Sequence, residues 1–383
     1  MEASRPAFSG SRLRLARAFN GWTQAELGER VDVSHQYIGY LETGHKVPSE
    51  GFLEALADDC GFESAFFTGE PIEEFRDEEC HFRRRATTPV SVRSRVLAHG
   101  SLFGMVVHYL DSVLSLPPDD VPCLRVHDRE GIEQAAERCR ERWGLGKDLP
   151  IKNLTRAVER AGVIVTRFPG SAAKIDAFSR ASKRSVIVLN TDKGSPSRAR
   201  FDLAHECGHL VMHGGLTTGD SRTEREADSF ASALLLPRAG FVPEFPRSPR
   251  MDWEALLRLK KRWGASCAAL VRRAHDLGLI DLARYQRAYK YMAWQGWLKG
   301  EPQELEPELP ELVPLSLQKL GEHLGASPLD LCQRLHWQPA TFEKVVGTAV
   351  PAPPRQARGR PGKVVQLALI RAERSSSRAS EPD

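Results

Sequence analysis

Apolar residues recur at helical spacing along most of the chain, whereas strand-like runs are confined to one region. Residues 11–19 form an amphipathic helical pattern that ends at Asn20-Gly21. Three short runs read instead as strands: 163–168, 174–179 and 185–189, of which the first and third are apolar and β-branched. The pattern therefore predicts a mainly α protein that contains one α+β domain with a small sheet.

Residues 8–68 are predicted to form a compact helical unit. Thr23 is placed to cap a helix over 24–30 in a capping box with Glu26, and Ser34 is placed to cap the next helix. A fourth helix is expected to start after Pro48-Ser49. Two short helices joined by a tight turn are the helix-turn-helix arrangement, which places its second helix in the DNA major groove.

This unit resembles the Xre/Cro-type repressor domain. The resemblance is carried by Thr23-Gln-Ala-Glu-Leu27, Val33-Ser34, Ile38, Leu41-Glu42-x-Gly44 and Pro48-Ser49. It implies binding to double-stranded DNA, with a homodimer on paired half-sites. Gly28 departs from the family, which usually has alanine there. A helical bundle that binds protein instead of DNA is the alternative.

The resemblance also implies which side chains meet DNA. Gln24, at the start of the first motif helix, would contact a phosphate. The candidates for base edges are Ser34, His35, Gln36 and Tyr37, at the start of the second motif helix.

Residues 69–120 are predicted to form a connector. An acidic stretch over 73–79 is followed by the basic residues 83–85. A solvated surface is the favoured interpretation of this charge reversal, and a phosphate contact beside the helix-turn-helix is the alternative. A long apolar helix is then expected over 92–116. Its partner is either the next domain or a second copy of the chain.

The sequence His205-Glu-Cys-Gly-His209 carries the clearest chemical signal. On a helix the two histidines lie one turn apart and can bind one metal ion, beside which Glu206 can take a proton from bound water. Glu224 and Asp228 are also one helical turn apart. One carboxylate can complete a two-His, one-carboxylate Zn2+ site, and the other can accept a ligand histidine's ring N–H. Glu226 is the second choice as ligand.

Two further residues, one beside and one within this motif, are predicted to have structural roles. His213 extends the stripe of histidines and is an alternative third ligand, but Gly214-Gly215 ends the helix, so a surface group at the helix terminus is the favoured prediction. Cys207 is expected to be a small core residue.

Residues 121–245 closely resemble the ImmA/IrrE-like metallopeptidase family, and residues 246–298 read as its usual helical extension. The resemblance rests on Arg200-Phe-x-Leu-Ala-His-Glu-x-Gly-His209, Glu224-x-Glu-Ala-Asp-x-Phe-Ala231 and Leu234-Leu-Leu-Pro237. It implies that the zinc ligands are His205, His209 and Glu224, that Glu206 is the general base, and that Asp228 is the partner of a ligand histidine. Family members typically cleave a repressor that contains a helix-turn-helix.

The C-terminal third is predicted to contain three parts. Residues 299–315 are rich in Glu and Pro, which favours an extended linker. Residues 316–348 are expected to form three short helices, either a second helix-turn-helix-like bundle or a docking bundle for a partner. Residues 349–383 have the composition of a basic disordered tail, in which Arg358 and Arg360 belong to an AT-hook-like Arg-Gly-Arg-Pro segment that can enter the minor groove.

Composition narrows the class of protein. No apolar run approaches the roughly 20 residues that span a bilayer, and the N-terminus lacks the apolar core of a signal peptide. Seven cysteines without C-x-x-C pairing favour reduced thiols. These features predict a cytoplasmic protein with no membrane partner. The net charge of +4 places any DNA-binding surface in local patches.

Three functional hypotheses follow from the sequence. The first is a DNA-binding transcriptional regulator whose zinc peptidase cleaves a protein partner, or the regulator itself, in response to a signal such as stress. The second is a regulator whose metallopeptidase-like domain only senses a ligand, metal or nucleic acid. The third is a protease of a toxin–antitoxin or phage-defence system with autoregulatory DNA binding.

Overall fold

The computed structural model describes residues 7–69, 72–76, 80–84, 89–126, 128–168, 175–180, 184–190, 195–216, 218–348, 350 and 365–366. The N-terminal helices are α1 (Gly10–Asn20), α2 (Gln24–Arg30), α3 (His35–Glu42), α4 (Glu50–Cys60), a 3-10 helix (Ser64–Thr68) and α5 (Val90–Val113). The central helices are α6 (Arg129–Arg142), α7 (Leu154–Arg160), α8 (Pro196–Met212), α9 (Ser221–Leu235) and α10 (Arg238–Glu244). The later helices are α11 (Trp253–Trp263), α12 (Cys267–Asp276), α13 (Leu282–Trp294), α14 (Leu312–Leu324), α15 (Pro328–Leu335) and α16 (Pro339–Val346).

The strands are β1 (Cys80–Arg84), β2 (Leu114–Ser115), β3 (Ile164–Phe168), β4 (Ile175–Arg180), β5 (Val186–Asn190) and β6 (Val365–Gln366). The predicted fold class, mainly α with one α+β domain, is confirmed. Within the described ranges, no helix is long and apolar enough to cross a membrane.

The helix-turn-helix unit forms through local capping, as its sequence predicts. The Thr23 hydroxyl accepts a hydrogen bond from the Glu26 N–H (3.1 Å), and the Glu26 carboxylate accepts one from the Thr23 N–H (2.7 Å). Gly28 is required by close packing, because a Cβ atom there would lie 2.5 Å from the carbonyl oxygen of Val33. The departure from the family's alanine therefore lets α2 approach the turn before α3.

The main sheet has the strand order β1-β4-β5-β3. β3 and β5 are parallel, whereas β4 pairs antiparallel with both β5 and β1. The outer strand β1 was not predicted, because its segment is charged and has no alternation typical of a buried strand. The connector thus contributes a strand to the peptidase-like sheet.

The two faces of this sheet belong to two different hydrophobic cores. Phe178 and Val188 face the core that contains α5 and the helix-turn-helix unit. Ala177 and Ile187, their neighbours along each strand, point to the opposite face and contact the core that contains α8 and α9. Of the two partners considered for α5, the structure shows the intramolecular one: its apolar side chains pack on α1 and on the sheet.

The Glu/Pro-rich segment predicted over 299–315 lies along the peptidase-like domain as far as residue 311, and α14 begins at Leu312, earlier than the predicted start of the bundle at residue 316. The Glu301 carboxylate accepts a hydrogen bond from the buried Lys260 ammonium (3.0 Å), and Glu308 forms an ion pair with Arg200. The extended course that its composition predicts is therefore held by ion pairs at Glu301 and Glu308.

The three C-terminal helices pack against the helix-turn-helix unit of the same chain. Phe62 and Trp337 form an isolated antiparallel bridge. The Gln338 N–H donates to the Gly61 carbonyl (3.1 Å), and the Thr341 hydroxyl donates to the same oxygen (2.6 Å). The bundle α14–α16 thus docks on the end of α4 within its own chain.

Candidate metal centre

Two adjacent helices, α8 and α9, position the candidate ligands. Ser195 and Pro196 start α8, and Asp220 caps α9 by accepting hydrogen bonds from the N–H groups of Arg222 (2.7 Å) and Thr223 (3.0 Å). The helices pack closely at Gly208, where a Cβ atom would lie 3.1 Å from the Phe230 ring. This contact brings the histidines of α8 to the carboxylates of α9.

The predicted ligand side chains converge on one point. His205 Nε2 lies 3.1 Å from His209 Nε2, and the Glu224 carboxylate oxygens lie 3.5 Å from each of these nitrogens. Within the described residues these three form the one group of potential metal ligands, with ligand atoms within 4.8 Å of one another.

The donor set fits a zinc ion. Tetrahedral zinc with bonds of about 2.1 Å requires ligand atoms roughly 3.4 Å apart, close to the separations of 3.1 and 3.5 Å. Glu224 Oε1 is buried and has no hydrogen-bond partner among the described residues, as expected for an oxygen that a metal would satisfy. Two imidazoles and one carboxylate leave a fourth position open, which is the ligand count of hydrolytic zinc sites.

Asp228 and His213 each hold one of the candidate ligand histidines. Asp228 Oδ1 lies 2.8 Å from His205 Nδ1, in the position predicted for it. His213 Nδ1 lies 2.9 Å from His209 Nδ1, and its Nε2 lies 2.9 Å from Glu226 Oε2. The prediction that His213 is a surface group was wrong. The helix ends where expected, but α9 covers His213, which is 2% exposed.

One tautomer arrangement satisfies all of these hydrogen bonds. If each ligand histidine presents Nε2 to a metal, His205 Nδ1–H donates to Asp228 and His209 Nδ1–H donates to His213 Nδ1. His213 then carries its proton on Nε2 and donates it to Glu226. Glu226, the second choice as ligand, therefore lies outside the ligand group and holds His213, which in turn holds His209.

Glu206 is fully buried beside the ligand group. Its Oε2 accepts a hydrogen bond from the Ser179 hydroxyl on β4 (2.6 Å), whereas Oε1 has no partner among the described residues. Burial raises the pKa of Glu206 to about 7. Sequence reasoning missed Ser179, although a serine on the sheet face that meets α8 is an unusual residue in a buried strand.

The three candidate ligands have widely different pKa values when no metal is bound. Burial opposes the charged form of His205, but hydrogen bonds to Asp228 and Glu224 raise its pKa to about 9. Burial lowers the pKa of His209 to about 4. Burial also opposes ionisation of Glu224, yet attraction to the two histidines, whose ring nitrogens lie 3.5 Å from its oxygens, lowers its pKa to about 2. A metal entering this site at neutral pH therefore displaces a proton from His205.

The residues predicted to meet base edges lie at the start of α3. Ser34 caps α3 by accepting from the Tyr37 N–H (3.2 Å), and His35 and Gln36 are exposed. Tyr37 is half-buried against Phe52, with ring centroids 5.7 Å apart.

Gln24 is held in place by a side-chain contact, because its amide donates to the Glu42 carboxylate (2.7 Å). Arg358 and Arg360 lie outside the described residues.

The fold and this geometry define a helix-turn-helix unit joined to a metallopeptidase-like domain. Comparison with known families gives the same division. A family model of a helix-turn-helix domain matches residues 10–65. A family model of the IrrE N-terminal-like domain, of the M78 peptidases, matches residues 158–275. The chain thus carries both domains of the fusion that its motifs resemble, whereas none of the curated proteins matches it.

Proposed function

We propose that the protein is a sequence-specific DNA-binding regulator that carries a zinc-dependent peptidase. The peptidase cleaves a protein partner, a repressor or the regulator itself, in response to a signal such as stress. The observation that carries this proposal is the convergence of His205, His209 and Glu224 beside the buried carboxylate of Glu206.

Each side chain of the proposed zinc site has a separate role. His205, His209 and Glu224 would hold the ion, with Asp228 and His213 orienting the two imidazoles. Zinc, when bound, supplies a Lewis acid and lowers the pKa of a bound water.

Glu206 is placed to handle the proton. It accepts one from the attacking water and delivers it to the leaving amine nitrogen. A pKa of about 7 in the metal-free site is suited to both steps near neutral pH. The Ser179 hydroxyl holds Oε2, so Oε1 is the oxygen available for proton transfer.

The helix-turn-helix unit supplies the DNA-binding part of the proposal. The exposed residues His35 and Gln36 lie in the first turn of α3, where a recognition helix meets base edges. Glutamine can bind adenine through two hydrogen bonds. A homodimer would place two such helices on paired half-sites.

A second candidate function is a regulator that senses a ligand or a metal without proteolysis. The observation that favours it is the closed site: His205 is 1% exposed, and Glu206 and His209 are 0% exposed. Of the three proposed ligands Glu224 is the most exposed, with 19% of its side chain accessible, so a peptide bond has little room to approach the metal position.

One pair of variants separates the two functions. The purified protein is expected to hold about one zinc per chain, and Glu224→Ala is expected to lose it. Glu206→Gln keeps all three ligands, so it should retain zinc and lose cleavage of any substrate. Equal cleavage by the wild type and Glu206→Gln would refute the general-base role, whereas full zinc content in Glu224→Ala would refute the ligand assignment.

A further inference from the structure

The connector strand β1 lies on the sheet edge that borders the candidate metal centre. β1 pairs antiparallel with β4, and its Cα partners are Cys80 with Arg180, His81 with Ser179 and Phe82 with Phe178. Ser179 is the residue whose hydroxyl holds Glu206. The backbone of β1 therefore passes one strand spacing, about 4.8 Å, from a residue that touches the proposed general base.

This edge is the one where an added strand would lie beside Glu206. Extended peptides commonly bind proteins by adding a strand to a sheet edge through backbone hydrogen bonds. The opposite edge of β4 is taken by β5, and the other outer strand, β3, is separated from β4 by β5. A peptide that adds to β4 must occupy the position that β1 holds.

The segment before β1 is fixed to β4 by side chains. Glu73 forms an ion pair with Arg180 (2.6 Å), and the Arg180 guanidinium lies 4.5 Å from the centroid of the Phe75 ring. Phe75 also meets Phe178 edge-on, with centroids 6.3 Å apart. These contacts hold the start of the connector at the end of β4.

The pairing between β1 and β4 is short. The register shifts between Phe82 and Arg84, so regular pairing covers three residues before the irregularity. A short edge strand with such a shift contributes few backbone hydrogen bonds, and a longer incoming strand can replace it.

We propose that β1 is an inhibitory strand, which occupies the edge of β4 that would otherwise serve as the docking surface for an extended peptide substrate. The substrate class is a segment that adds antiparallel to β4 and displaces the connector. This inference rests on the proposed function and gives it a control step. β1 lies in the connector that follows the helix-turn-helix unit, so the unit proposed to bind DNA is joined directly to the strand that occupies this edge.

Two matched replacements of residues 80–84 test the docking surface. Gly-Ser-Gly-Ser-Gly removes strand propensity, whereas Thr-Val-Thr-Val-Thr changes the same side chains but favours a strand. Hydrogen exchange is measured on alternate amides of residues 177–180, those that point to β1, in metal-free protein. We expect at least tenfold faster exchange in the first variant and wild-type exchange in the second.

A peptide probe completes the test. A synthetic peptide with the sequence of residues 77–86 is added to the Gly-Ser variant in a Glu206→Gln background, where it cannot be hydrolysed by the proposed mechanism. We expect the peptide to restore protection of residues 177–180. In the zinc-loaded Gly-Ser variant with Glu206 intact, cleavage of the same peptide should be at least tenfold faster than in the wild type.

The outcomes separate this inference from the proposed function. Unchanged exchange in the Gly-Ser variant would overturn the docking proposal, as would faster exchange that the peptide does not reverse. Exchange and protection as expected, with no cleavage by any zinc-loaded form, would support the docking surface and refute the peptidase instead.

Discussion

Replacing His213 with alanine tests whether the chain of hydrogen bonds behind His209 prepares the metal site. When His209 presents Nε2 to a metal, His213 accepts from His209 Nδ1–H and donates to Glu226, with both separations at 2.9 Å. Because His209 is 0% exposed, the substitution leaves its Nδ1–H buried beside a cavity. The ring is then free to rotate or to adopt the other tautomer, which presents no lone pair on Nε2 to zinc.

The magnitude follows from the lost hydrogen bond. A buried donor left without a partner costs about 1–3 kcal/mol, and removing such outer partners typically weakens metal binding 10–100-fold. These figures agree, since a 10–100-fold change corresponds to about 1.4–2.7 kcal/mol. We therefore expect His213→Ala to bind zinc 10–100-fold more weakly, and Glu226→Gln, which keeps an acceptor oxygen, to show a smaller loss.

The assay is competition for zinc against a chelator of known affinity, supported by the visible spectrum of the Co2+-substituted protein. Cys207→Ala is the matched control, because Cys207 is buried on the same helix but packs in the hydrophobic core. It should lose stability and keep the wild-type affinity and Co2+ spectrum. The reasoning is refuted if His213→Ala binds zinc as tightly as the wild type, or if Cys207→Ala loses as much affinity.

Three further predictions concern other parts of the molecule. The apparent zinc affinity should rise by up to about tenfold per pH unit from 7 to 9, because His205, with a pKa of about 9, must lose its proton before it binds zinc. Calorimetry in buffers of different ionisation enthalpy should detect the released proton. A zinc affinity that does not change with pH would contradict this prediction. Gln36→Ala should weaken specific operator binding by about 1–3 kcal/mol and leave non-specific binding unchanged in gel-shift titrations, so equal losses on both DNAs would count against a base contact. Trp337→Ala should cost about 3–5 kcal/mol in urea unfolding, because Trp337 is 1% exposed between the C-terminal helices and Phe62; a loss below about 1 kcal/mol would argue against this docking.

Local signals in the sequence were sufficient for most helices and for the candidate ligands. The capping box of Thr23 and Glu26 depends on residues three apart, so it can be read without the fold. The same holds for His205 and His209, one turn apart on α8. Glu224 and Asp228 were predictable as a pair for the same reason, although only the packing of α8 on α9 shows that they reach the histidines.

The features that escaped prediction depend on contacts between distant segments. Ser179 meets Glu206 across the interface between β4 and α8, and His213 is buried because Glu226 on another helix covers it. The strand β1 has a charged sequence, and its pairing with β4 is a tertiary contact with no local signal.

The central claim is that the IrrE-like domain turns over a protein substrate through Glu206. The most direct measurement compares the proteins of cells that express the wild-type chain with those of cells that express Glu206→Gln, under stress, by mass spectrometry of newly formed chain ends. We predict at least one cleavage product that depends on Glu206, from a partner or from this chain. Identical sets of chain ends, with zinc bound equally by both forms, would contradict the peptidase and leave the metal domain as a sensor.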